Sequence, residues 1–420
     1  MDQPLSSATV LAIGHSVRAL VEACSMAGVH CIAVDHFGDA DTRRFAHDRW
    51  IELKLTERGL LSPETEAELQ SVATELLKQD KPAFFLLAGG MENLGAACEQ
   101  LRKIAEVIGP SESQRTAMRD IGWLQRIAAE CGLQVPAMRQ SIDDGSGWLW
   151  KPLVGAGGLH ISRKPDADVE SDGVRSEGYW QQFIRGEPIG VSCLVSADGV
   201  KVLGATGGFD AEEWPGPLEF IYRGSYGLIV LSPEYESKIA MLCQRIHERT
   251  GYSGWLQFDF MREQIDGKEP AQLWLLECNP RWTAGMEVLV NAGNVNPVNE
   301  LLSSLQIADT SNDFHDIHDI QDNCDTQSST SAVSFAKAIV YAKQSIELSQ
   351  ESIDRLCSIE GIADLPHLPQ RIEGGHPIVT VRAWLRSDSF TKSEAVNKQQ
   401  LLDKLRWRAE QVWSAIEYGL

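Results

Sequence analysis

Several common signatures are missing from this sequence. No apolar run approaches the roughly 20 residues of a membrane-spanning helix, so no span is expected. The opening residues, Met1-Asp2-Gln3-Pro4, lack the basic-then-apolar order of an export signal, and a cytoplasmic location is expected. The nine cysteines form no Cys-x-x-Cys pair. Cys24, Cys131, Cys193 and Cys243 sit in apolar company, which points to small hydrophobes in a reducing compartment rather than to a disulfide framework. Basic residues are few: 38 Lys and Arg face 59 Asp and Glu, for a net charge of −21. Phosphate backbones are bound by basic surfaces, so nucleic acid is excluded as a partner. The dinucleotide fingerprint G-x-G-x-x-G is absent, because Gly14 is followed by Ser16 and Arg18 and no further glycine. No Walker loop and no internal repeat occur.

What is present suits a multidomain α/β protein. A chain of 420 residues with 43% hydrophobic content forms two to four packed units. Thr9 to Ile13 is an apolar run. Val17, Leu20, Val21 and Cys24 then fall at helical spacing, Gly28 suits the helix end, and Val29 to Val34 is a second apolar run. This β-loop-α-β unit predicts a parallel sheet. Its turn is either plain or an anion site at the helix N-terminus, with Ser16 and Arg18 helping. Ala83 to Leu87 is another strand. It opens into a loop holding Glu92 and Asn93, candidates for a substrate contact or a helix cap. Gly109-Pro110 reads as a boundary. Ser111 and Gln114 have capping-box spacing, and one helix is expected to bury Met118, Ile121, Leu124, Ile127, Ala128 and Cys131.

The middle of the chain changes character. Trp148 to Pro152 is a strand leading into Leu153-Val154-Gly155-Ala156-Gly157-Gly158. Such a loop lets backbone N–H groups close around phosphate oxygens, and Lys151 at its mouth adds a point charge. Tyr179 to Ile184 is a strand. Asp198-Gly199 marks a hairpin between Ile189–Val195 and Val200–Ala205. Trp214 to Tyr226 is irregular and holds Arg223. Ser232-Pro233 starts a helix with Ile239, Leu242, Cys243 and Ile246 on one face.

The most informative stretch is Leu273 to Glu287. If its apolar run is a strand, alternation puts Leu273, Leu275, Glu277 and Asn279 on one face. In Trp255 to Met261, Trp255, Gln257 and Asp259 point one way. A turn at Asp266-Gly267 pairs the two strands, so Asp259 lies beside Glu277 and Asn279. Three oxygen ligands on one face suit a hard cation such as Mg²⁺, with Mn²⁺ as the alternative. Arg281, just beyond, can meet a phosphate or carboxylate with its planar fork. Residues 309–330 are acidic and read as a mobile loop, with His315 and His318 among aspartates.

The order of these parts resembles the ATP-grasp superfamily over residues 10–290. The motifs are Lys151-Pro-x-x-Gly155-x-Gly157-Gly158, Gln181-x-Phe183-Ile184-x-Gly186-Glu187, and Asp259 followed by Glu277-x-Asn279-Pro280-Arg281. The resemblance implies an α/β parallel-sheet domain at residues 1–108 and an α+β ATP-grasp fold at 109–306, with a lid near 135–183. An acidic linker at 307–331 and a small C-terminal α+β domain at 332–420 complete the expected order. It also implies roles. Lys151 and the glycines hold ATP phosphates. Gln181, Gln182, Phe183 and Ile184 form the hinge against adenine. Glu187 meets the ribose hydroxyls, Asp259, Glu277 and Asn279 hold Mg²⁺, and Arg281 faces the reacting carboxyl-phosphate. Three departures stand out. Gln181 replaces a frequent Glu, Arg119 is the nearest cation in the linker helix where many members have Lys, and Gln257 stands where some ligases carry an arginine.

The implied activity is an ATP- and Mg²⁺-dependent ligase joining a small carboxylate to an amine through an acyl-phosphate. A small-molecule kinase and a non-catalytic ATP-binding module are the alternatives. Ser16, Arg18, Glu92 and Arg223 are the candidate substrate contacts, and a homodimer is the expected assembly. A looser resemblance rests on Gly14-His15-Ser16-Val17-Arg18-Ala19, on Gly89-Gly90-Met91-Glu92-Asn93, on Asn279 to Glu287 and on Gly375-His376-Pro377. It is to a little-characterised bacterial and archaeal branch, some of whose members occur alongside pterin-linked one-carbon metabolism. It implies a carboxylate on a pterin-like precursor.

Overall fold

The computed structural model describes residues 8–79, 81–142, 145–163, 177–263, 271–293, 295–305, 332–386, 390 and 393–417. The acidic linker with His315 and His318, and the Asp266-Gly267 turn, lie outside the described residues. The first unit runs β1 (Thr9–Ile13), α1 (Arg18–Met26), β2 (His30–Asp35), α2 (Ala40–Phe45), β3 (Trp50–Glu52), α3 (Pro63–Lys78), β4 (Ala83–Leu87), α4 (Gly95–Ile104) and β5 (Glu106–Ile108). Its strands are parallel, in the order β3-β2-β1-β4-β5. The chain winds outward in both directions from β1 and β4, so the loops after these two strands meet at the switch point where such sheets bind ligands.

The capping box at Ser111 and Gln114 forms, but the expected single helix is two: α5 (Glu112–Arg119) and α6 (Ile121–Glu130). Asp120 divides them. Its carboxylate accepts from the Trp123 N–H at 3.0 Å, which makes it the N-cap of the second helix. A small antiparallel sheet follows, β6 (Met138–Arg139), β7 (Trp148–Pro152) and β8 (Gly178–Gln182), in the order β6-β8-β7.

The large sheet then begins with β9 (Glu187–Ser196), β10 (Gly199–Gly208) and β11 (Gly224–Ile229). Strand β11 takes up the end of the segment expected to be irregular. Next come α7 (Pro233–Thr250), β12 (Gly254–Glu263), β13 (Gln272–Asn279), α8 (Ala284–Asn291) and α9 (Pro297–Ser304). The C-terminal part holds β14 (Ala332–Tyr341), β15 (Ile346–Leu348), α10 (Gln350–Cys357), β16 (Ile362–Ala363), β17 (Gln370–Ile372), β18 (Pro377–Arg386) and α11 (Glu394–Glu417). Its strands do not form a sheet of their own alone. Strand β14 pairs with β11, giving one sheet ordered β13-β12-β9-β10-β11-β14-β18-β16. One core, from Ile127 through Ile246 and Phe258 to Leu405, therefore underlies both regions.

A buried ion cluster ties the first unit to this sheet. Arg18 is 2% exposed and donates to Glu22 and Glu287 at 2.6 Å each and to Asp364 at 3.0 Å. Lys337 donates to the other oxygen of Glu287, and Arg382 to Glu22 at 2.8 Å. Burial opposes ionisation of Glu287, but Arg18 and Lys337 outweigh it and hold the carboxyl well below the usual range. Glu287→Gln leaves two buried cations without their common anion, a loss of about 3–5 kcal/mol. Thermal melts at neutral pH are expected to show a large fall in Tm. Because the Glu287 pKa is depressed, that contribution is present above the ordinary glutamate range and lost progressively as pH falls from there through the depressed pKa, so the gap should narrow in acid. An unchanged Tm would remove the cluster from the account.

Candidate active site

The acidic pair depends on a β-bulge. Along β12 and β13, Gln257 faces Asn279, Phe258 faces Cys278 and Asp259 faces Glu277, but Phe260 faces Leu275. Leu276 is left without a partner. The strict alternation expected from sequence is thus broken: Leu273, Leu275 and Cys278 all enter the core, while Glu277 and Asn279 turn to the other face beside Asp259. Without the bulge, core leucines and metal-type carboxylates would compete for one face.

The cleft above this face is lined by Lys151, Gly155, Gly157, Gly158, Glu277, Asn279 and Arg281, together with Glu92, Arg119 and Tyr179. In β8, Tyr179 and Gln181 share a face, and opposite them on β7 stand Lys151 and Leu149. Lys151 is 8% exposed, and burial lowers its pKa despite Glu277 and Asp259 nearby. The Asn279 amide donates to Asp259 at 2.9 Å and Glu277 at 3.3 Å, and its oxygen accepts from Arg281 at 3.2 Å. Burial and the Glu277 charge raise Asp259 to about 8, whereas Glu277, opposed by burial, is held low by Lys151. The two carboxyls therefore share one proton. That arrangement fits a divalent cation, which would supply the charge the proton now supplies, with the Asn279 amide turned over to offer its oxygen.

The glycine loop is fixed from two sides. Gly157 accepts from the Tyr222 N–H at 2.8 Å, and a Cβ on Gly158, whose φ is +81°, would lie 1.8 Å from the Phe220 carbonyl. Arg119, left aside by sequence reasoning, clamps the other side. It donates to Leu153 at 2.8 Å and to Asn93 at 2.6 Å, and Asn93 reaches the Gly155 carbonyl at 3.3 Å. Its signal was a cation at the end of α5, one residue before the break. The motif turn docks on the parallel sheet: Trp282 N–H donates to Leu87 at 3.0 Å, and Arg281 lies 3.6 Å from where a Gly89 Cβ would be.

The remaining expected residues divide. Glu92 joins the cleft, but its Oε1 is bonded to Arg281 at 2.6 Å, so it steadies that arginine while Oε2 stays buried without a protein partner. Gln181 is 1% exposed and its amide nitrogen also lacks a partner. Gln182 accepts from the Ala137 N–H at 3.2 Å, the Phe183 N–H donates to Gly147 at 2.8 Å, and Ile184 is buried. Ser16 is exposed on the β1–α1 turn and does not line the cleft.

Three expectations need correction. Arg18 is not an anion contact, since the buried cluster consumes its charge. Arg223 does not line the cleft: it is 5% exposed and donates to the carbonyls of Leu218, Glu219 and Ile221, pinning its own loop. Glu187 is not a free carboxylate, because Tyr226, Arg262 and Lys398 (2.8 Å) all donate to it.

A family model described as an ATP-grasp domain matches residues 123–285. That match assigns an ATP-grasp domain to the middle of the chain. No curated protein matches the sequence. Several solved structures share its fold. An L-amino acid ligase from Bacillus licheniformis superposes with a TM-score of 0.59 at 13% identity, covering 95% of this chain and 98% of that one. N5-carboxyaminoimidazole ribonucleotide synthetase from Thermotoga maritima gives 0.55 at 12%, covering 96% and 98%. The biotin carboxylase domain dimer of Hydrogenobacter thermophilus 2-oxoglutarate carboxylase, in complex with MgADP, ADP and bicarbonate, gives 0.57 at 15%, covering 90% and 86%. Such identities carry the fold alone, and nothing in these matches supports a pterin substrate.

The shared proton makes a pH prediction. Asp259 must lose its proton before it can serve a cation, so Mn²⁺ affinity should rise up to tenfold per pH unit and level off near pH 8. Mn²⁺ titrations with a non-hydrolysable ATP analogue across pH check this. A flat profile from pH 6 to about 8 would contradict the shared proton.

Proposed function

We propose that this ATP-grasp protein is an ATP- and Mg²⁺-dependent ligase that forms an acyl-phosphate from a small carboxylate and joins it to an amine. One observation carries the reading. A single cleft gathers a desolvated lysine, a glycine loop, Glu277 of the acidic pair and a half-buried arginine. The fold likeness to an amino acid ligase, to a carboxyaminoimidazole ribonucleotide synthetase and to a carboxylase domain solved with MgADP supports it.

Each side chain has a part in this reading. Lys151 and the N–H groups of Gly155, Gly157 and Gly158 meet the nucleotide phosphates. The unpartnered amide nitrogen of Gln181 suits an adenine acceptor, and the neighbouring strand backbone to Ile184 completes the hinge. Asp259, Glu277 and Asn279 hold Mg²⁺, which when bound neutralises charge on the transferring phosphoryl group. Arg281, kept charged by Glu92, faces the reacting carboxylate and steadies the acyl-phosphate oxygens. In the first step the carboxylate oxygen bonds to the γ-phosphorus and the bond to ADP breaks. In the second the amine attacks the acyl carbon, phosphate leaves, and the amine gives up a proton. With Glu187 fully engaged, the ribose lacks the carboxylate partner that the motif implied.

The test is a product analysis. Protein, MgATP, carboxylate pools and amines should yield ADP and free phosphate only when a carboxylate is present. Glu277→Ala should cut turnover by at least about a thousandfold, roughly 4 kcal/mol of transition-state stabilisation. AMP with pyrophosphate would sink the acyl-phosphate route. ADP without free phosphate would favour a kinase, and full function in Glu277→Ala would favour a non-catalytic ATP-binding module.

A further inference from the structure

Behind Asp259 lies a polar unit that the proposed chemistry does not use. Gln257 stands on β12 two residues before Asp259, on the same face, and is 7% exposed. Its carbonyl oxygen accepts from the Ser192 hydroxyl at 3.1 Å and from the Thr283 hydroxyl. A hydroxyl can donate or accept, so it is the Asp259 carboxylate, an acceptor, that decides which end of the carboxamide is which. The amide nitrogen therefore points away from them and donates to Asp259 Oδ1 at 3.1 Å. The opposite oxygen, Oδ2, faces Asn279 at 2.9 Å. Two glycines leave the room for this: a Cβ on Gly190 would meet Nε2 at 2.8 Å, and one on Gly285 would meet Oε1 at 3.0 Å. Thr283 occupies the N-cap of α8 yet makes no side-chain cap bond, so its hydroxyl serves Gln257 rather than the helix.

We infer that Gln257 is a positioning residue for the cation site: its carboxamide, held by Ser192 and Thr283, turns the second oxygen of Asp259 toward Asn279 and Glu277. The inference rests on the metal role proposed for that pair. A neutral donor suits the task. It fixes the carboxylate by a hydrogen bond without subtracting from the attraction between that carboxylate and a divalent ion, as a guanidinium in the same place would. The unit also joins three elements, β9, β12 and the first turn of α8, so the orientation of Asp259 is set by the framework and not by the ligand.

The experiment titrates Mn²⁺ into the full chain with a non-hydrolysable ATP analogue and reads free Mn²⁺ by electron paramagnetic resonance. Gln257→Met keeps length and bulk and removes the donor. It is expected to weaken Mn²⁺ binding about 10- to 100-fold, leave metal-free nucleotide binding unchanged, and recover turnover at saturating metal. A double variant, Ser192→Ala with Thr283→Val, keeps the Gln257 amide but releases its carbonyl. It should weaken Mn²⁺ binding several-fold and carries the test if Gln257→Met fails to fold. Unchanged Mn²⁺ affinity in either folded variant, beside a loss in Asp259→Asn, overturns the inference while the metal site stands. Unchanged affinity in Asp259→Asn overturns both.

Discussion

Two carboxyl groups forced onto the same patch of sheet set the terms for everything around them. Asp259, half-buried, and Glu277, exposed to the cleft, face each other across β12 and β13, and the charge on Glu277 helps push the Asp259 carboxyl up to about 8. Like charges this close repel, and the pair persists only where surrounding groups answer it. Lys151 answers from the small sheet, Gln257 and Asn279 answer with amide donors, and Arg281 stands one step further out. The arrangement is built to receive positive charge, which the divalent cation of a metal–nucleotide complex would supply at this spot.

The framework holds these groups from three directions. The bulge at Leu276 separates the apolar residues of β13 from its polar end. The turn after Asn279 is hooked to the end of β4 through Trp282 and Leu87, which brings Glu92 against Arg281. The buried cluster around Arg18 and Glu287 then fastens the parallel sheet to α8, β14 and β18. Since α8 follows directly on the motif, the same helix carries Thr283 at its start and Glu287 one turn later. One short segment thus serves both the positioning of Asp259 and the junction between units.

Much of this was legible beforehand. Period-two alternation in Trp255 to Met261 put Asp259 and Gln257 on one face, and apolar runs located β1, β2 and β4. What could not be read had definite physical causes. A bulge leaves no mark in composition, so the face assigned to Leu273 and Leu275 was wrong although the pairing of Asp259 with Glu277 was right. Arg18 looked like an anion binder because its charge sits at a helix start. Its partners Glu287 and Asp364 are 269 and 346 residues away, and no local pattern announces them. Glu187 misled for the same reason, since Arg262 and Lys398 come to it from far along the chain, whereas Arg223 is satisfied by the carbonyls of its own loop. Gln257 was visible as a departure from the superfamily pattern, but its meaning needed the two hydroxyls that only the fold brings to it.

The central claim is that a divalent cation bridges Asp259 and Glu277 to nucleotide phosphates beside Lys151. Anomalous diffraction at the manganese edge, from crystals grown with Mn²⁺ and a non-hydrolysable ATP analogue, tests it most directly. The account predicts an anomalous peak between the two carboxylates, at about 2.0–2.2 Å from their oxygens, with phosphate density against Lys151 and the glycine loop. Nucleotide bound elsewhere, or the carboxyls still paired with no peak between them, would contradict it.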